Sequence, residues 1–211
     1  TQNQAFSALL FLYREVLERD FGWLDDVVRA KKPKWLPVVF TPEEAMAIIG
    51  ELHGLRELMA TQLYGGGLRL NECLRLRVKD LDFEQLQVTV REGKGDKDRI
   101  TLLPETIVEP LKRQLVYVRE AHDRALRSGY AGVELPCALA RKYPRAELQL
   151  GWQYVYPAAR PSIDPRSGAR RRHHLDPSYL QKAVAAAIRK LGIQKHAGCH
   201  TFRHSFATHL L

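Results

Sequence analysis

Three short segments of this sequence carry side chains that can act together on a phosphodiester. Gly67-Leu68-Arg69-Leu70-Asn71-Glu72 sets an arginine after a glycine run, with a carboxylate three residues on. Gly93-Lys94-Gly95 places a lysine in a turn, and His200-Thr201-Phe202-Arg203 puts an imidazole and a guanidinium on one helix face. Arginines fork onto non-bridging phosphate oxygens and stay charged at any working pH. A lysine can protonate a leaving oxygen, and a histidine can serve as donor or acid–base partner. Negative charge gathers on the phosphate oxygens in the transition state, so preorganised cations supply most of the catalysis without a metal. Taken singly, each segment has a plainer reading: a helix-start arginine, a solvated turn lysine, a surface pair on a helix.

These residues need elements to hold them. Thr41-Pro42-Glu43-Glu44 is a helix start, with Thr41 as cap, Pro42 in the first turn and Glu44 closing a capping box. The spacing predicts helices over about 42–53, 55–64 and 71–77, the first two followed by Gly65-Gly66-Gly67. Residues 87–91 and 99–102 read as strands of a hairpin with Lys94 at its tip. A long helix follows from about 105 to 127, another from 178 to 191 behind Asp176-Pro177, and a last from Thr201 onward. On that last helix Phe202, Phe206, His209 and Leu210 share a face, which predicts a core position for His209. The fold class expected is mainly α with a small antiparallel β-sheet.

Residues 1–30 are helical in spacing but too short to own a core, and read as the end of a preceding helical domain. Residues 31–40, with Lys31-Lys32-Pro33-Lys34, read as an extended linker. The chain is expected to be a piece of a longer protein, cut at both ends.

The 211 residues carry a net charge of +9, with 45% hydrophobic and 27% charged residues, an ordinary globular balance that excludes a disordered tract. No apolar run reaches the ~20 residues of a membrane span. Cys73, Cys137 and Cys199 are scattered and odd in number, so they suggest neither a disulfide framework nor a zinc ribbon, and fit a reducing cytoplasm. The basic excess points to a polyanion. It is concentrated between Arg141 and Arg172, where Arg141, Lys142, Arg145, Arg160, Arg166, Arg170, Arg171 and Arg172 face only Glu147 and Asp164. His200 and His204 lie one helical turn apart, a zinc-binding spacing, but no second ligand pair accompanies them and no metal is expected.

In order and spacing, G-L-R-L-N-E, then G-K-G-x-K-x-R, then H-T-x-R-H-S-F-A-T-H-L-L resembles the tyrosine recombinase, or phage integrase, family from about residue 41 to the end. The resemblance implies a catalytic domain over 41–211 and a preceding DNA-clamping domain. It implies Arg69 and Arg203 as catalytic arginines, Glu72 as the acid supporting the first, Lys94 as proton donor to the 5′-oxygen, and His200 as the partner of Arg203. The family's nucleophilic tyrosine and its last basic residue would lie beyond Leu211. Members cleave and rejoin DNA through a 3′-phosphotyrosine, need no cofactor and work as tetramers on DNA. A bacterial, nucleoid-associated location is implied as well.

A narrower resemblance covers residues 139–174, which are similar to the extra segment of integron integrases. It implies binding of extrahelical bases in folded single-strand cassette sites by Lys142, Trp152, Pro165, His173 and His174, with Arg170, Arg171 and Arg172 on phosphates. Integron integrases often show W-x-W where this chain has Leu150-Gly151-Trp152. Physically, an indole, a proline face and imidazoles suit a splayed base. By pattern alone, the alternation of Trp152, Tyr154 and Tyr156 fits a half-buried strand better than base stacking. Two rival functions also remain at this point: a DNA-binding module without chemistry, and a zinc-dependent nuclease built on the histidines.

Overall fold

A reciprocal pair of hydrogen bonds opens the larger structural unit. Glu44 N donates to Thr41 Oγ1 at 3.2 Å, and Thr41 N donates to Glu44 Oε2 at 2.9 Å, with Pro42 in the first turn. The computed structural model describes residues 2–19, 36–91, 98–129, 132–135, 137–165 and 168–210. It divides into Thr1–Leu36 and Pro37–Leu211. Within the first unit, α1 (Gln2–Phe11) runs into a π-helical turn, Leu12–Val16, and neither contains a buried residue. An element with no buried side chain has no core to stabilise it.

In the second unit, α2 (Pro42–Gly50) and α3 (Leu55–Gly65) lead into α4 (Leu70–Arg75). A three-stranded antiparallel sheet follows, in the order β1 (Leu81–Asp82), β2 (Gln87–Val90), β3 (Arg99–Leu102). Val90 pairs with Arg99 and Gln87 with Leu102, so the two strands form the expected hairpin. Lys94, at its turn, lies outside the described residues. The long α5 (Val108–Arg127) turns Leu111, Val118 and Ala121 inward. After the short α6 (Cys137–Lys142) come two 3-10 turns, a two-stranded ribbon of β4 (Ser162–Ile163) and β5 (Arg170–Arg171), then α7 (Ser178–Lys190) and α8 (Cys199–His209).

The core gathers Ile48 of α2, Met59 and Leu63 of α3, Leu74 of α4, Val88 of β2, Leu111 of α5, Leu180 and Val184 of α7 and Phe202 of α8. Complete burial of a Leu or Phe side chain contributes about 1.5–3 kcal/mol, so this cluster fixes where the helix ends fall. Two expectations are corrected. The helix expected over 71–77 stops at Arg75, because the next residues bond elsewhere: Val155 N donates to Leu76 O, Arg77 N to Asp80 Oδ2 and Val78 N to Gln153 O. His209 is exposed, not core, and its Nδ1 shares a 2.9 Å hydrogen bond with the Tyr64 hydroxyl.

Candidate active site

Glu72 is the hub of three arginines, Arg69, Arg99 and Arg203. Arg69 has extended dihedrals just before α4, so the Glu72 carboxylate, in the first turn of α4, accepts its backbone N–H at 2.8 Å. This satisfies one of the helix's orphan donors. Arg69 Nη1 also reaches Glu72 Oε1 at 2.6 Å. From the sheet, Arg99 brings both terminal nitrogens, Nη1 to Oε1 at 2.9 Å and Nη2 to Oε2 at 2.6 Å. Arg203 of α8 stands 3.8 Å from Oε2. Burial pushes the Glu72 carboxyl up, but the hydrogen bonds from Arg99 and Arg69 outweigh it and bring its pKa to about 2.

Three guanidiniums from three elements thus surround one carboxylate, leaving positive charge in excess. Burial, then Arg69 and Arg99, push the Arg203 guanidinium below its ordinary value. Each of the three arginine side chains is about a third exposed, so part of each cation faces outward. The arrangement can hold an anion and is already organised for it.

Arg203 is aimed by its helix. Ser205 Oγ accepts the Phe40 N–H at 2.9 Å and donates to Thr201 O at 2.8 Å, and the Phe40 and Phe202 rings meet at 5.2 Å. Those contacts fix α8 against the chain entering α2. Arg203 Nη1 then donates to the Gly67 carbonyl. Gly67 has φ +58, and a Cβ there would strike the Phe206 ring, so glycine alone permits this approach. His200 sits exposed on the first turn of α8, one turn before Arg203.

Beside Glu72 lies a cavity of about 440 Å³, reaching from Glu72 and Arg75 to Trp152, Tyr154, His173 and His174. Arg77 builds its wall. Its guanidinium donates to the carbonyls of Trp152 (2.6 Å) and Glu134 (2.8 Å) and stacks 4.6 Å from the Tyr154 ring. The His173 and His174 rings lie 4.1 Å apart, and each contacts Tyr154. Burial pushes His174 below its ordinary pKa, against the bond it makes to the Leu175 carbonyl, favouring a neutral ring.

The cavity therefore unites Trp152, His173 and His174, but not all the base-holding residues expected. Lys142 is exposed at the end of α6, and Pro165 is exposed in the ribbon turn. Neither lines the cavity. Trp152 is in a 3-10 turn, not a strand, and Tyr154, Val155 and Tyr156 are buried in succession, so the half-buried alternation is corrected. Lys79 Nζ sits 2.9 Å from the Trp152 ring centre, covering one indole face. Arg170 is exposed on β5. Arg171 pairs with Asp164 and Glu147, and Arg172 donates to the carbonyls of Ala158 and Ala159, so both have partners within the fold. Sequence reasoning passed over Arg99, Arg77 and Lys79. The final arginine of G-K-G-x-K-x-R was the available signal for Arg99.

Residues 39–211 match the family model described as the phage integrase family. The chain belongs to the phage integrase family. Its relatives in this family include an "Integrase/recombinase" of Escherichia coli, 47% identical over 211 residues, covering all of this chain and 63% of that protein. The "Tyrosine recombinase XerA" of Pyrococcus horikoshii is 28% identical over 182 residues, covering 86% of this chain and 50% of that one. The chain thus spans less than two thirds of the length of these family members. Among solved structures, XerH bound to a palindromic difH substrate in a post-cleavage complex aligns with a TM-score of 0.58 at 22% identity, over 96% of this chain and 51% of that one. The XerA recombinase crystal structure gives 0.53 at 24% identity, over 99% and 61%. These likenesses show the family's mainly helical fold with its small antiparallel sheet. No described helix is long and apolar enough to cross a membrane.

Proposed function

We propose that this chain is the DNA-cleaving part of a tyrosine site-specific recombinase, with its nucleophile encoded beyond Leu211. The observation that carries the reading is the convergence of Arg69, Arg99 and Arg203 on one part-buried carboxylate, with an excess of positive charge. An isolated ion pair would need one cation. A site awaiting a phosphodiester needs spare ones.

In this reading Arg69 and Arg203 bind the non-bridging oxygens and His200 donates beside them. Lys94 protonates the 5′-oxygen as the tyrosine attacks phosphorus, and religation reverses the step without a cofactor. Residues 1–30 belong to a DNA-clamping domain, 31–40 to a linker and 41–211 to the catalytic domain. The full-length protein works as a tetramer on DNA in a bacterial cytoplasm. Its substrates are integron cassette sites, folded from single strands. The cavity at Trp152, His173 and His174 supports this narrower assignment, because it offers stacking surfaces in a space that reaches Glu72.

The test is a suicide DNA substrate that traps the covalent intermediate. The 211-residue chain should yield no denaturant-stable adduct, and the chain extended through its full reading frame should yield one. An adduct on the shorter chain would overturn the placement of the nucleophile.

A further inference from the structure

We propose that Arg99 is a positioning residue that keeps Glu72 from capturing Arg203; the inference rests on the strand-cleavage reading above. A carboxylate offers about four lone-pair positions. Those of Glu72 are taken by the Arg69 backbone N–H, Arg69 Nη1, and the two terminal nitrogens of Arg99. Arg203 stands 3.8 Å from Oε2, near enough to attract but without a hydrogen bond, and donates instead to the Gly67 carbonyl.

Removing Arg99 vacates two acceptor positions on a carboxylate whose side chain is only 9% exposed. A carboxylate shielded to that degree does not stay half-satisfied when a cation is within reach. Among the described residues, Arg203 is the neighbouring cation able to close that gap, and closing it swings the guanidinium toward Glu72. Arg99 spends the edge formed by its terminal nitrogens on Glu72, so that edge is not available to a phosphate. Its contribution passes through the carboxylate.

Arg99 also anchors the strand that follows the Lys94 turn. It is the first residue of β3, paired with Val90, and it bonds to Glu72 across 27 residues of sequence. One fork therefore joins the hairpin to α4.

The experiment measures single-turnover cleavage and site affinity in the full-length protein, at one salt concentration, for Arg99→Ala, Arg99→Lys, Glu72→Gln and the Ala/Gln double variant. Arg99→Ala should slow cleavage about 10²-fold while DNA affinity changes only a few-fold. Arg99→Lys should recover part of the rate. In the Glu72→Gln background, where a neutral amide cannot trap Arg203, Arg99→Ala should cost little more. An equal cost in both backgrounds, or no cost in either, overturns the proposal.

A second measurement needs no activity. In the 211-residue chain, the Glu72 carboxyl is titrated by carbon NMR. With Arg99 present, Arg203→Ala should leave it near its wild-type value. In the Arg99→Ala background, Arg203→Ala should raise it markedly, because Arg203 has become its partner. If Arg203→Ala has the same effect in both backgrounds, no capture occurs and the inference fails. Arg69→Ala, run in parallel, separates the two readings. Undiminished cleavage by that variant sinks the recombinase site itself, whereas a dead Arg69→Ala beside a wild-type-like Arg99→Ala sinks only the role of Arg99.

Discussion

Replacing Glu72 with glutamine leaves the shape of the hub and removes its charge. In the native chain the hydrogen bonds from Arg99 and Arg69 outweigh burial and take this carboxyl from 4.5 to about 2. A drop of that size corresponds to about 3 kcal/mol of folding free energy at neutral pH. The sign follows from the direction. The folded-state value lies below the unfolded one, so the stabilisation is complete above the unfolded pKa and drains away as pH falls toward the folded value. Linkage puts a loss of roughly 2 kcal/mol between about pH 5 and pH 3. The assay is urea unfolding of the wild-type and Glu72→Gln chains across that range, read as the difference between them. Other carboxyls held low, such as Glu44 by Lys195 and Asp176 by Ser178, contribute equally to both chains and cancel. The difference should shrink by about 2 kcal/mol on going from pH 5 to pH 3. A difference that stays flat would mean that Glu72 is not held by its arginines in solution.

Two further outcomes follow from the same geometry. Gly67→Ala should destabilise the fold by about 1–3 kcal/mol, measured by thermal or urea unfolding, because a side chain there meets both a left-handed backbone and the Phe206 ring. Trp152→Ala should erase the preference for a hairpin site with bulged bases over the same hairpin with those bases deleted, at fixed salt. Stacking is worth about 1–3 kcal/mol per base, so equal weakening on both hairpins would make Trp152 a packing residue.

Local features were legible in the sequence because they depend on neighbours in the chain. The Thr41–Glu44 capping box, the two strands of the hairpin and the amphipathic helices around Val118 and Val184 are of this kind. Contacts set by tertiary packing were not. Nothing local pairs Arg99 with Glu72, ends α4 in favour of the bonds at Leu76 and Arg77, or lays Lys79 on Trp152. A two-residue strand such as β1 carries no alternation to detect. Phe202 and His209 share a helical face by period, but period does not say how far the core extends along α8. Phe202 is buried and His209 is exposed. Basic residues were visible as charge, whereas the partners of Arg171 and Arg172 appear only in the folded chain.

In the proposed function, Arg69 and Arg203 are preorganised for the transition state at phosphorus, not merely for holding DNA. The most direct measurement compares recombination rate and site affinity in the full-length protein for Arg69→Ala and Arg203→Ala. Loss of one such contact should lower the rate by about 10²–10³-fold, or roughly 3–4 kcal/mol, with affinity nearly unchanged because many other phosphate contacts remain. Near wild-type rates, or rate losses matched by equal losses of affinity, would contradict it.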